Sequence, residues 1–226
     1  MYHRVMCGRY TLTVSARILA EVFGADVPDD YRPRFNIAPT QTVPIVRRTD
    51  QGSHRIDMLR WGLIPHWAKD PAIGNRMINA RSETAPDKPA FRSAVATKRC
   101  LVPADGFFEW ARIEGRKQPH HFRFSDRRVM TFGGLWASWR PQPDADWLES
   151  FTILTTSPNA LVASTHDRMP VILPPETWSE WLGPGELSRD RYDVLTGPHP
   201  PDDMNSVPVS TRVNSPANDD PDVLLA

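Results

Sequence analysis

An α+β domain dominated by strands, with a barrel-like antiparallel sheet at its core and short peripheral helices, is what this 226-residue sequence predicts. Three observations carry that prediction. Proline makes up 23 residues, about 10% where roughly 5% is usual, which works against long helices and favours turns. Short apolar runs bounded by turn residues recur along the chain, as strands require. Helical spacing of apolar residues is confined to brief stretches. Hydrophobic residues at 40% are enough to fill one core of ordinary size.

In chain order, SARILAEVF (15–23) has apolar residues at helical spacing, with Thr13 or Ser15 available as a cap. Strands are expected at 43–47, 56–61, 99–102, 106–113, 120–124, 129–136, 151–156 and 170–173. SPNALVAST (157–165) reads as a short helix between two strands. PPETWSEWL (174–182) reads as another, with proline in its first turn. Residues 183–203 are poor in apolar side chains and read as loop with one short helix at 188–195, and 214–222 reads as loop. No internal repeat and no clean linker divides the chain. Residues 7–226 are therefore read as one domain behind a six-residue prefix, MYHRVM.

Composition narrows the function. No apolar run approaches the ~18 residues of a membrane span, and the first residues lack the apolar stretch of a signal peptide. Two cysteines without a CxxC pair fit a reducing, cytoplasmic setting. Cys100, in KRCLVPADG, reads as a buried strand residue. Residues 1–140 hold 23 Lys and Arg against 13 Asp and Glu, while residues 141–226 hold 4 against 14. A first part at +10 suits a polyanionic partner, and equally suits neutralisation by the second part within the fold. No glycine-rich phosphate loop is present. His120 and His121 are adjacent and would point opposite ways on a strand, so no metal or other cofactor is expected.

Several polar residues sit where apolar ones would be ordinary. Cys7, in MCGRY, follows a methionine directly; at a true N-terminus a cysteine carries an amine and a thiol on adjacent carbons. MINARSET places Asn79, Arg81 and Glu83 at alternate positions, on one face if the segment is extended. Glu109 lies among Phe107, Phe108 and Trp110; it is either a solvent-facing strand residue or a carboxylate whose pKa aromatic surroundings raise toward general-acid use. His166 and Arg168 precede an apolar strand in STHDRMPVIL. Trp67 lies in a proline-bounded loop, where it can pack or stack on a base.

The blocks MCGRY, RFNIAPTQ, RWGLIPHW, NARSET, RCLVPADGFFEW, GGLW, STHDRMPVIL and VNSPAND occur in that order over residues 6 to about 219. Together they resemble the SOS response-associated peptidase family, the abasic-site shielding proteins. The resemblance implies a protein of the DNA damage response that binds single-stranded DNA and cross-links to abasic sites through an N-terminal cysteine. It implies Cys7 as nucleophile, with Asn79, Glu109 and His166 completing the active site. Arg81 and Arg168 would hold phosphates flanking the lesion, and the loop Asn36-Ile37-Ala38-Pro39 and Trp67 would line the DNA groove. The family often has a second aromatic after the groove tryptophan; Ala68 stands there in this chain. The partner implied is abasic single-stranded DNA, met by a monomer, with no membrane and no cofactor.

The chemistry implied is self-consistent. The Cys7 amine condenses with the aldehyde of a ring-opened abasic sugar to give an imine, and the thiol then closes a five-membered thiazolidine. At a pKa of about 7.7–8.0, on the order of a tenth of an α-amine is neutral at pH 7. Glu109 would open the sugar hemiacetal and move protons, His166 would act on the sugar hydroxyl or the imine, and Asn79 would hold the amine or sugar. The family's peptidase role would remove the residues ahead of Cys7; translation from Met6 with methionine removal would reach the same end. Two other readings remain at this stage. MCG also opens glutamine amidotransferases, although Arg9 breaks their apolar continuation. A non-covalent single-strand-binding module would leave Cys7 incidental.

Overall fold

The computed structural model describes residues 7–226; the prefix read ahead of Cys7 lies outside the described residues. Five strands close into a barrel: β3 (Thr42–Arg48), β4 (His54–Trp61), β6 (Arg99–Ala104), β9 (Met130–Trp139) and β10 (Leu148–Thr156). The ring runs β10-β4-β3-β6-β9 and returns to β10. It is antiparallel except at β4–β10, which is parallel. The seam between β3 and β6 pairs only at Val46 and Leu101. Pro44 and Pro103 lie on these two strands, and each lacks the N–H that a longer seam would need. Gly134 on β9 lets the barrel close, since a Cβ there would stand 2.9 Å from both Cys100 Sγ and Val102. Cys100 is wholly buried, as expected of a core strand.

A second, fully antiparallel sheet lies beside the barrel in the order β12-β8-β7-β1-β2. Its strands are β1 (Tyr10–Leu12), β2 (Arg34–Ile37), β7 (Gly106–Ile113), β8 (Arg116–Phe124) and β12 (Met204–Pro208). Tyr10, Phe107 and Phe122 point from one face of this sheet into the main core, where Tyr10 meets the rings of Trp61 and Phe132 edge-on. The opposite face carries a smaller cluster of Phe108, Val209, Val213 and Val223. Two short strands, β5 (Asn79–Arg81) and β11 (Met169–Pro170), pair with the far half of β10.

The helices are short and peripheral: α1 (Ala16–Phe23), α2 (Arg92–Thr97), α3 (Ala160–Ala163), α4 (Trp178–Trp181) and α5 (Arg189–Leu195). Ser15, not Thr13, caps α1, and Gly24 ends it in the left-handed conformation. The strand expected at 170–173 is cut to two residues, with one further bridge from Ile172 to Phe132. Tail residues read as loop contain tight helical turns at Thr211–Asn214 and Pro221–Leu224.

Candidate active site

The candidate site forms where the N-terminal segment crosses the second sheet. Tyr10 pairs with Phe107, and the Phe108 N–H donates to the Arg9 carbonyl at 3.0 Å, which lays residues 7–9 along β7. Glu109 follows on β7, buried to 2% exposure. Its Oε1 accepts the Cys7 backbone N–H at 2.7 Å. Its Oε2 lies 3.9 Å from His166 Nε2. Asn79, on β5, donates from Nδ2 to the Cys7 carbonyl at 3.4 Å. Cys7, Asn79, Glu109 and His166, far apart in sequence, thus meet at one place.

Each is placed by a local device. Asn79 stands on β5 because Ile153, Leu154 and Thr155 of β10 pair in parallel with Asn79, Ala80 and Arg81. His166 leaves α3, whose first turn is capped by Asn159. His166 Nδ1 lies 3.1 Å from both the Arg168 backbone nitrogen and Asp167 Oδ1, which fixes the ring with Nε2 turned toward Glu109. Cys7 is 1% exposed, with φ at 33°, a left-handed conformation that side chains other than glycine adopt at a cost. Burial, with the Glu109 carboxylate beside it, pushes the Cys7 thiol well above the usual thiol range. The thiol is therefore protonated at neutral pH and needs a base to become a nucleophile.

The flanking residues fall into two sets. Arg81 is exposed at the end of β5, and Trp67 is 48% exposed in its loop. Gly62 and Gly74 set that loop: a Cβ on either would come within 2.5 Å of the other's carbonyl, so the turn at Pro71–Arg76 packs directly on it. Ala68 uses its carbonyl to accept the Trp139 indole N–H at 2.7 Å. Arg168 makes a two-pronged ion pair with Glu83, at 2.6 and 2.8 Å, and donates to the Thr155 carbonyl. The strand through Asn79 ends at Arg81 and turns, so Glu83 leaves the shared face expected from alternation and swings to Arg168.

Asn36 corrects the expected loop at 36–39. It lies within β2, is wholly buried, and presents no surface to a strand of DNA. Its Oδ1 accepts from Arg9 at 3.0 Å, and its Nδ2 donates to the carbonyls of Val213, Ser215 and Asn218. Asp219 accepts the backbone N–H groups of Phe35 and Asn36 at 2.6 and 2.8 Å. Arg9 in turn donates to the carbonyls of Val213 and Asn214, and the Trp110 indole donates to Asn214 Oδ1. The VNSPAND block is thus a clasp across residues adjacent to both Cys7 and Glu109. Pro39 is half-buried at the turn that follows β2.

The profile described as SOS response associated peptidase (SRAP) matches residues 6–216. The chain belongs to the SRAP family. This SRAP chain is 42% identical over 223 residues to the abasic site processing protein YoqW of Bacillus subtilis (strain 168), spanning 97% of this chain and 99% of that protein. It is 31% identical to the abasic site processing protein HMCES of Xenopus tropicalis, over 88% of this chain and 67% of that one. A crystal structure of a protein from Bacteroides thetaiotaomicron superposes with a TM-score of 0.88 at 26% identity, covering 97% of this chain and all of that one.

The clasp is the part of the SRAP site that residue-by-residue reading missed. Its one signal was the run of turn-forming residues in VNSPAND, which reads as loop; its hydrogen bonds to Asn36 span more than 170 residues and leave no local trace. Among the described residues no group of three or more His, Cys, Asp or Glu side chains is arranged to hold a metal ion.

Proposed function

We propose that this protein acts on abasic sites in single-stranded DNA in the DNA damage response, joining them covalently to Cys7 as a thiazolidine. The observation that carries the reading is the 2.7 Å contact between the Cys7 nitrogen and buried Glu109, with Asn79 and His166 at its edges. In the structure that nitrogen is a peptide amide; it stands in for the α-amine of the processed protein. The amine attacks C1 of the open sugar and expels water as the imine forms. The Cys7 sulfur then bonds to the same carbon while its proton passes, by way of Glu109, to the nitrogen. No atom is left over beyond that one water. The thiol's raised pKa makes a neighbouring base necessary, and Glu109 is in place to be it.

Exposure of the amine requires hydrolysis of the Met6–Cys7 bond, and we assign this peptidase step to the same residues. The Cys7 sulfur takes the acyl group from its own nitrogen, and water then cleaves the thioester. The left-handed φ at Cys7 favours this, since cleavage removes the constraint. Arg81 and Arg168 would hold flanking phosphates, Arg168 by exchanging Glu83 for the strand. Pro39 and Trp67 would line the path, and Asn36 would act through the clasp. The protein would work as a monomer in the cytoplasm.

The test is incubation with a single-stranded oligonucleotide carrying one abasic site, followed by a denaturing gel and intact mass. The expected product is a denaturant-resistant adduct with the mass of both partners less one water. Expression from Met1 as wild type and as Cys7→Ala tests processing: loss of six residues in the wild type alone is expected. An adduct whose protein still carries the prefix would refute the amine mechanism.

A further inference from the structure

The adjacent histidines on β8 have separate fates. His121 points away from the site, buried beneath Gly106, where a Cβ would meet its Nε2 at 2.2 Å. Its Nε2 lies 3.0 Å from Thr11 Oγ1, and burial, with Arg123 adding to it, holds the ring down to about 3. It is a neutral structural group.

His120 points the other way. In the β7–β8 ladder it stands directly opposite Glu109. Opposed residues of an antiparallel pair share a face, with Cβ atoms about 4.5–5.5 Å apart. Cys7 therefore reaches Glu109 from one side of β7 and His120 flanks it from the other. His120 Nδ1 is 3.1 Å from Ser206 Oγ. Its Nε2 is buried and has no hydrogen-bond partner among the described residues. Such an atom is costly to leave unpaired in a finished site. Burial also keeps this imidazole below its ordinary pKa, so it is neutral at pH 7. A neutral ring has one donor and one acceptor nitrogen, and Ser206 uses only Nδ1.

We propose that His120 is a further residue of the active site, whose Nε2 hydrogen-bonds a hydroxyl of the opened abasic sugar on the β8 side of Glu109. A hydroxyl both donates and accepts, so it suits either tautomer of an uncharged ring; a phosphate would call for a charged one. The proposal rests on the abasic-site reading given above. It gives the lesion contacts from two sides, His166 on one and His120 on the other, with the Glu109 carboxylate between them.

The test compares His120→Phe with His120→Gln. Phenylalanine keeps a ring to pack near Phe122, whose centroid is 6.4 Å away, and removes both nitrogens. Glutamine restores a polar tip. Measured are the single-turnover rate of adduct formation, the Kd for an undamaged strand, and Tm. Expected is a loss of about tenfold in rate for the Phe variant, the worth of one hydrogen bond, with Kd within about twofold and partial recovery in the Gln variant. A Phe variant that cross-links at the wild-type rate overturns the proposal. Equal weakening on undamaged strands overturns it too, since that marks a backbone contact. So does a lowered Tm with no recovery by Gln, which marks packing. If wild type forms no adduct, the abasic-site reading itself fails and the proposal falls with it; the wild-type lane separates that case from the others.

Discussion

Glu109→Gln removes one charge and one proton site while keeping the shape. Glutamine can still accept the Cys7 N–H through Oε1, so the 2.7 Å contact survives as a weaker, neutral hydrogen bond. That exchange costs about 1 kcal/mol, and relief from burying a carboxylate at 2% exposure offsets much of it. Folding and binding of undamaged strands should therefore stay near wild type. Cross-linking should not. Loss of a positioned acid–base group slows a reaction roughly 10²–10⁴-fold, or about 3–5 kcal/mol in the barrier. The alternative route predicts the opposite sign. Glu109 is one of the two causes that keep the Cys7 thiol protonated, so its neutralisation makes thiolate easier to form. If thiolate supply limited the reaction, the Gln variant would be faster. The assay is adduct formation under single-turnover conditions, quenched in denaturant, beside anisotropy binding and a melting curve. A Gln variant at or above the wild-type rate would refute the role assigned to Glu109.

Cys7→Ala, with its amine exposed, should form an imine that borohydride traps but no heat-stable adduct; a heat-stable one would sink the thiazolidine. Removing Arg81 or Arg168 should weaken binding to all single strands and flatten the log–log salt slope by roughly 0.7 each. Glu83→Gln should tighten binding, because it releases Arg168 and removes a carboxylate that this arginine keeps ionised by holding its pKa below the usual range; weaker binding would show that Glu83 orders Arg168 for the phosphate. His121 sets an acid limb. Its ring stays neutral in the fold down to about pH 3, whereas the unfolded chain takes up a proton near 6.5. Stability is therefore unaffected above pH 7 and falls as pH drops, by about 2 kcal/mol from pH 7 to 5, or roughly 4–8 °C in Tm. His121→Gln should start less stable and lose correspondingly less over that interval, as melting curves at the two pH values would read.

The strands that make the barrel were legible because each is long enough to show its pattern: 42–48, 54–61 and 130–139 all overlap the runs read from the sequence. The strands that were missed are short or mixed. Tyr10–Leu12 has three residues, Arg34–Ile37 alternates a charge and an amide with its apolar side chains, and Met204–Pro208 is half polar. The parallel junction between β4 and β10 was illegible, because strand direction is decided by connections that no local run encodes. At the site, alternation alone left Glu109 with two faces to choose from. The structure turns it inward because its neighbours Phe108 and Trp110 fill the opposite cluster. Asn36 was placed in the groove by the family resemblance alone; its burial follows from partners nearly two hundred residues away, which no local run encodes.

That distance has a consequence in time. The clasp from Val213 and Asn214 to Arg9 closes a loop of 204 to 205 residues. A ribosome working at about 5–20 residues per second needs roughly 10 to 40 s to make that length of chain. Through that interval the segment around Cys7 lacks the contacts that later fasten Arg9. A nascent chain past residue 113 therefore holds Cys7 and Glu109 with the pairing of β1 to β7 but without the clasp. The reactive centre is fastened late, when the last tenth of the protein folds back over the first, and a truncated chain would keep the cysteine while losing the fastening that orients it.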